Sequence, residues 1–324
     1  VAVAGTHGKT TTTSMMSYIM LEAATDPTIS IGGTLELIDG NIRVGGSQYF
    51  VTEACEYTNS YHEFHAFASI ILNIDNDHLD FFGNIENIAA SFATFAQKTV
   101  PGGTLIVNGD MKYTSQVLDA VKDMDITPVT FGTEEKDDYQ ARDIVLNEMG
   151  HPSYRLFING EDKGTVVLSV TGVHNAINSL AAIAASISIG IDLDVIKEGL
   201  RKCHSADRRF MYKGTTVNNS TIIDDYAHHP TEIAASLAVA KSITEDKGDL
   251  WVAFQPHTYS RTRAHLDDFA DALSAADHIL LADIYAAREA DDGTVSSKDI
   301  EIRLKNKGCD AVYLVAPDVR AVLI

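Results

Sequence analysis

Val1-Ala2-Val3-Ala4-Gly5-Thr6-His7-Gly8-Lys9-Thr10 is the stretch that decides how this chain folds. A short apolar run enters two glycines and a lysine, and a helix-length segment from Thr10 to Glu22 follows. Glycines let backbone N–H groups converge on phosphate oxygens, and a helix N-terminus adds partial positive charge. Lys9 would neutralise β- and γ-phosphates, and the Thr10 hydroxyl would ligate Mg²⁺. Gly5, Thr6, His7, Gly8, Lys9 and Thr10 are therefore the candidate ATP phosphate-binding residues. The loop is a variant, because Val3 stands where the GxxxxGK[ST] pattern has its first glycine. Its alternative is a glycine-rich strand-to-helix turn with an exposed lysine.

Outward from the loop, apolar periodicity predicts alternating strands and helices. Strands are expected at Val1–Ala4, Ala68–Ile74, Thr104–Val107 and Val129–Phe131. Helices are expected at 10–22, 85–98 and 113–124. Buried strands alternating with helices indicate an α/β fold on a mostly parallel sheet. From Asp143 to Val170 short runs flank Asn159-Gly160, a tight-turn signal, so an antiparallel annex is expected there. Helices at 175–189 and 193–201 follow.

The basic stretch Lys202–Lys213, with Asp207, Arg208 and Arg209, reads as a boundary between domains 1–209 and 210–324. The chain's 324 residues fit two domains at roughly 100–200 residues each. Beyond the boundary, strands are expected at 221–224, 250–254, 278–282 and 311–315, with Trp251 in the core. Helices are expected at 230–242, 260–275 and 297–307. The opening Val1 and an unfinished element at Ile324 suggest a piece of a longer protein.

Composition narrows the function classes. With 25 basic and 45 acidic residues the net charge is −20, a field that repels nucleic acid and anionic lipid. The longest apolar stretch, 180–191, falls short of the ~20 residues a membrane-spanning helix needs. Three scattered cysteines form no CxxC pair, which suits a reducing, cytoplasmic setting without disulfides or zinc.

Further candidates lie where strands are expected to end. Glu53 closes the run 49–52, and His78 lies in Asn73-Ile74-Asp75-Asn76-Asp77-His78-Leu79-Asp80. Ligands in open α/β sheets bind beyond the carboxyl ends of the strands. Glu53 and His78 would therefore share an edge with the loop and could hold a divalent metal. Read singly, each is equally a solvated strand-end group or part of a capping turn. His174, Asn175 and Asn178 open an apolar helix, where capping is the simpler reading. Asp224-Asp225-Tyr226-Ala227-His228-His229-Pro230 and Gln255-Pro256-His257-Thr258-Tyr259-Ser260-Arg261-Thr262-Arg263 crowd titratable groups into two strand-to-helix turns. With a phosphate loop upstream, a two-domain nucleotide site is the simpler account of both.

Taken in order, GTHGKT, Glu53, NIDNDHLD, TGVHNAIN, DDYAHHPTE and QPHTYSRTR resemble the Mur ligases of peptidoglycan synthesis across essentially the whole chain. The resemblance implies a central ATPase domain followed by a Rossmann-like C-terminal domain, incomplete at its end, with a UDP-binding domain ahead of Val1. It also implies ATP-dependent amide formation through an acyl phosphate, with Mg²⁺ or Mn²⁺. The motifs lean toward the member that joins L-alanine to UDP-N-acetylmuramate. A recycling ligase that adds a peptide to the same sugar nucleotide is the near alternative, and a P-loop module that ligates nothing is the distant one.

Residue by residue, the resemblance implies catalytic Lys9, Glu53 and His78, with metal ligands Thr10, Glu53 and His78. Asn178, Arg209, Asp225, Tyr226 and His228 correspond to adenine and ribose contacts. His257 and Arg261 correspond to groups facing the substrate carboxylates. The carbamylated lysine of several Mur ligases has no counterpart, since Ser91-Phe92-Ala93-Thr94 stands there and the next lysine is Lys98. Thr258 stands where some relatives have arginine.

Overall fold

The computed structural model describes residues 1–204, 209–244 and 248–314, with Asp80 described through its backbone alone. The chain forms two compact units, Val1–Asp207 and Arg208–Ile324. The expectations placed on Asp207, Arg208, Val315 and the segment ending at Ile324 lie outside the described residues.

In the first unit, strand β1 (Ala2–Ala4) leads through the glycine loop into helix α1 (Lys9–Glu22). Strands β2 (Thr28–Leu35), β3 (Gly40–Arg43), β4 (Phe50–Glu53) and β5 (Ala68–Ile71) follow. Next come α2 (Leu79–Phe82), α3 (Ile85–Ala96), β6 (Gly103–Asn108), α4 (Thr114–Asp119) and β7 (Ile126–Gly132). The unit closes with β8 (Tyr139–Leu146), β9 (Pro152–Ile158), β10 (Glu161–Val167), α5 (Val173–Ser188) and α6 (Leu193–Lys202). All ten strands join one sheet in the order β10-β9-β8-β7-β6-β5-β1-β4-β2-β3. The run from β8 to β2 is parallel. The outer pairs β8·β9, β9·β10 and β2·β3 are antiparallel.

Both faces of the parallel core are covered, which is why its strands read as unbroken apolar runs rather than alternating ones. Val3, Ile70 and Ile106 point to one face, where Met16, Ile19, Leu180, Ile183 and Leu200 pack. Ala4, Ile71, Leu105 and Val107 point to the other, against Ile88, Phe92, Phe95 and Tyr61. The Thr/Ser-rich start of α1 is buried as well, and Ser14 and Ser17 return their hydroxyls to the carbonyls of Thr10 and Thr13 at 3.0 and 2.7 Å. Those bonds let polar side chains fill an apolar interface.

The second unit pairs β11 (Met211–Thr215) antiparallel with β12 (Thr221–Asp224). Helix α7 (Pro230–Thr244), β13 (Trp251–Phe254), α8 (Tyr259–Ala264), α9 (Leu266–Leu273), β14 (His278–Leu281), α10 (Ser297–Asn306) and β15 (Asp310–Tyr313) follow. Strands β13, β14 and β15 form a parallel sheet. Ile233, Leu237, Phe254, Phe269, Leu281, Ile300 and Leu304 make its core.

Several expectations are corrected. The strand expected to run to Ile74 stops at Ile71, because Asn73 turns inward to bind the glycine loop. The helix expected at 113–124 spans only Thr114–Asp119. The helix expected at 260–275 breaks at His265, whose imidazole engages Asp268 at 2.8 Å. Trp251 is not core: at 60% exposure it lies on the sheet edge, stacked 4.1 Å from the His278 ring. Strands β2, β3 and β11 carry no unbroken apolar run and fall outside the expected strands, whereas the antiparallel annex expected at 143–170 is present as β8, β9 and β10, with β8 starting earlier, at Tyr139. Asn159-Gly160 makes its turn as expected, with φ of 51° and 79° matching the right-handed twist of a hairpin. No helix among the described residues is long and apolar enough to cross a membrane.

Phe92 is fully buried against Tyr61 at a 5.4 Å ring separation. Phe92→Ala should therefore cost about 3–5 kcal/mol in urea unfolding. A loss below about 1 kcal/mol would show that α3 is not seated on this face.

Candidate active site

Strands β4, β1 and β5 are adjacent and parallel, so their carboxyl ends deliver three loops to one edge. The first is the glycine loop. Gly8 caps α1 with φ 82°, a conformation that an L side chain resists. A Cβ there would also stand 2.8 Å from Asn178 Nδ2. Asn73, in the loop after β5, staples this turn from both sides. Its Oδ1 accepts from His7 N–H at 2.7 Å and its Nδ2 donates to the His7 carbonyl at 3.0 Å. Thr6 Oγ1 accepts from Asp75 N–H at 2.9 Å. The loop is therefore fixed by the segment that carries His78.

The Lys9 ammonium folds back over the loop, donating to the carbonyls of Gly5 and Thr6 at 2.5 and 3.1 Å. Its counter-charge is Glu56, at 2.9 Å, with the Glu56 side chain 3% exposed. His78 Nε2 lies 3.6 Å from the same carboxylate. Its ring lies tilted against that of Tyr57, 4.7 Å between centroids. Glu53 ends β4 in register with Val3, and its Oε1 accepts from Gly32 N–H at 2.6 Å. Burial alone would push the Lys9 ammonium down. The Glu56 charge and hydrogen bond, with a smaller contribution from Glu53, carry it above the ordinary lysine value. Lys9 is thus a protonated cation poised on a loop of phosphate-binding form.

Glu53, Glu56 and the nearly buried Thr10 hydroxyl present hard oxygen donors, and His78 presents a nitrogen. Oxygen-rich sets of this kind suit Mg²⁺ or Mn²⁺. By donor type these side chains fit a divalent metal; Glu56 and His78 converge, and Glu53 is engaged by the Gly32 N–H. Asn178 lies on α5 against Gly8 and donates to Asn175 Oδ1 at 3.2 Å. Its place in the first unit is beside the phosphate loop.

The second unit builds a site of its own from the turns after β12 and β13. Asp225 accepts from Phe210 N–H, Ala227 N–H and Ser236 Oγ at 3.1, 2.7 and 2.8 Å. Burial pushes its carboxyl up from the usual value. The Arg209 guanidinium lies 5.5 Å over the Tyr226 ring and 3.9 Å from Glu232. His228 meets Tyr226 edge-on, lies 3.6 Å from Glu232 and faces the His257 ring at 5.9 Å. Arg261 donates to the His257 carbonyl at 2.8 Å, and His257 stacks on Tyr285. Arg209, Asp225, Tyr226, His228, His257 and Arg261 are thus brought together.

Four residues that sequence reasoning passed over hold these groups. Glu56 joins Lys9 to His78, and Glu232 joins Arg209 to His228. Tyr285 backs His257. Glu289 accepts from Thr258 Oγ1 and Ser260 N–H at 2.7 and 2.8 Å, which sets the turn that carries Arg261. Glu56 had a visible signal, a second acid three residues after Glu53. Glu289 had none, because its partners lie about thirty residues away.

A double-mutant cycle tests the central pair. Glu56→Gln leaves Lys9 as a buried cation without its counter-charge and should cost about 3–5 kcal/mol. Adding Lys9→Met should restore a large part of that loss. Strictly additive losses in urea unfolding would contradict direct coupling.

The Mur ligase middle domain matches residues 3–186, and the Mur ligase, glutamate ligase domain matches residues 208–323. A UDP-N-acetylmuramate–L-alanine ligase of Lachnospira eligens is 50% identical over 313 residues, covering 96% of this chain and 67% of its own length. One from Agathobacter rectalis is 51% identical over 97% of this chain and likewise 67% of its own length. Among solved structures, the UDP-N-acetylmuramate–alanine ligase of Thermotoga maritima superposes with TM-score 0.81 at 29% identity, covering 100% of this chain and 69% of that one. A murein peptide ligase from Psychrobacter arcticus gives 0.69 at 25%, covering 98% and 70%. The chain belongs to the Mur ligase family.

Proposed function

We propose that this protein joins L-alanine to UDP-N-acetylmuramate at the expense of ATP, in peptidoglycan precursor synthesis. The observation that carries the reading is the cluster of Lys9, Glu56 and His78 on a glycine loop, in a chain about half identical to ligases of that name. The near alternative, a ligase that adds a ready-made peptide, has a structural relative at lower identity.

An amide does not form from a carboxylate and an amine at neutral pH without activation. The muramyl carboxylate attacks the γ-phosphorus of ATP, ADP leaves, and an acyl phosphate results. The alanine amine then attacks the acyl carbon, and phosphate departs with one of the original carboxylate oxygens. Little covalent chemistry falls to the protein, whose task is to place groups and stabilise charge.

Lys9 and the loop N–H groups take up charge on the transferring phosphoryl, aided by the N-terminus of α1. For Lys9 this means exchanging Glu56 for phosphate oxygens. Thr10, Glu53 and His78 would hold a divalent metal, which supplies Lewis-acid polarisation of the phosphate when bound. Glu56 keeps Lys9 charged and His78 oriented. Arg209, Asp225, Tyr226 and His228 bind adenine and ribose, and Asn178 borders the phosphate loop of the first unit. His257 and Arg261 bind substrate carboxylate, and Glu289 fixes their turn.

Phosphate release by the intact protein, measured with ATP and Mg²⁺, should require UDP-N-acetylmuramate and L-alanine together. Lys9→Ala should lower that rate about 10²–10³-fold or more with the fold retained. His78→Ala should reduce turnover more than it weakens ATP binding. Phosphate release independent of the sugar nucleotide, or full turnover by Lys9→Ala, would overturn the reading; a requirement for a peptide instead of alanine would redirect it to the alternative.

A further inference from the structure

Away from the phosphate loop, at the carboxyl ends of β6 and β7, a buried carboxylate stands without a donor. Asp137 is 2% exposed, and neither of its carboxylate oxygens has a hydrogen-bond partner. A buried polar group in that condition is destabilising unless something neutralises it. The backbone has made room for it. A Cβ on Gly132 would stand 2.5 Å from Asp137 Oδ2 and equally 2.5 Å from Asp110 Oδ2, and a Cβ on Gly109 would overlap Asp137 Oδ1. Two carboxylates from different loops thus converge over a pair of glycines.

Asp110 is set as an acceptor. Its Oδ2 takes the Thr133 N–H at 2.9 Å and the Thr133 hydroxyl at 3.2 Å, and Lys136 Nζ lies 3.8 Å from Oδ1. Nothing comparable reaches Asp137, although its main chain is well held: its N–H donates to the Glu134 carbonyl, and its carbonyl accepts from Gln140 Nε2 at 2.6 Å. The side chain is therefore fixed in place, and the charge that reaches it from the protein is that of Lys136, whose ammonium lies against Asp110. One lysine faces two carboxylates, so a proton or a further cation is needed to balance them. Burial and the neighbouring Asp110 push the Asp137 carboxyl up to about 6, so above neutral pH the proton is mostly lost. Carboxylate oxygens are the ligands that hard divalent cations prefer.

We propose that Asp110 and Asp137 form a divalent-cation site of the Ca²⁺ or Mg²⁺ class, separate from the phosphate loop, that ties the loop after β6 to the loop after β7. The site is independent of the ligase reading, because none of its residues belongs to the Lys9 cluster.

The test is cation binding to the intact protein, stripped with chelator and free of nucleotide at pH 8. Calorimetric titration with CaCl₂ and with MgCl₂ would be paired with thermal unfolding in each. Wild type should bind at least one of the cations and unfold at higher temperature in its presence. Asp137→Asn and Asp110→Asn should each weaken that binding at least tenfold and remove the rise in unfolding temperature. Asp267→Asn, which removes an exposed carboxylate of the second unit with no part in either cluster, should keep both. Asp110 is exposed, so its variant remains decisive even if Asp137→Asn fails to fold. Unaltered binding in Asp110→Asn, or no binding of either cation by wild type, would overturn the proposal and leave a shared proton as the occupant.

Discussion

A buried ion pair, Lys9 with Glu56, organises the first unit's edge. Lys9 opens α1 and Glu56 follows β4, so the pair ties the glycine loop to the neighbouring strand. Through His78 it reaches the loop after β5 as well. Desolvation would discharge an isolated lysine at such depth, and a buried pair offsets that penalty only when its geometry is good. Here the ammonium has four acceptors, two carbonyls and both carboxylate oxygens, within 3.2 Å. The arrangement stores a cation where a phosphate can take over from a carboxylate.

The pair is possible only because of what lies behind it. Strands β4, β1 and β5 are central and parallel, and both of their faces are sealed by helices or by the 3₁₀ segment around Tyr61. A strand end in such a sheet has little freedom. Asn73 uses that rigidity, spending its whole amide on the backbone of His7. The second unit follows the same rule on a smaller sheet, where Glu232, one helical turn beyond His228, and the distant Glu289 fix the basic and aromatic groups.

Much of this was legible before any coordinates. GTHGKT identifies a strand, a tight loop and a helix start, because only that sequence of residue types frees enough N–H groups at one point. Long apolar runs marked the buried strands β1, β5 and β6, since a doubly covered strand has no polar face to interrupt it. The edge strand β3 and its neighbour β2 were silent for the converse reason: Gly32, Gly33 and exposed Ile42 give no period to read. Glu53 and His78 could be placed on one edge from sequence, whereas the role of Glu56 depended on the kinked 3₁₀ turn at Tyr57–Glu63, with Thr58 and Asn59 at positive φ. Asn178 was assigned toward adenine by motif; in the fold it meets Gly8. Contacts across thirty or more residues leave no local trace, and they separate the site as read from the site as built.

Activation of a carboxylate by phosphoryl transfer moves an oxygen atom that an isotope can follow. The intact protein would be supplied with UDP-N-acetylmuramate labelled with ¹⁸O in its muramyl carboxylate, together with ATP, Mg²⁺ and L-alanine. Mass spectrometry of the released inorganic phosphate should find a single ¹⁸O atom per molecule formed. Phosphate carrying no label, alongside normal amide product, would contradict an acyl phosphate and with it the role assigned to the Lys9 cluster.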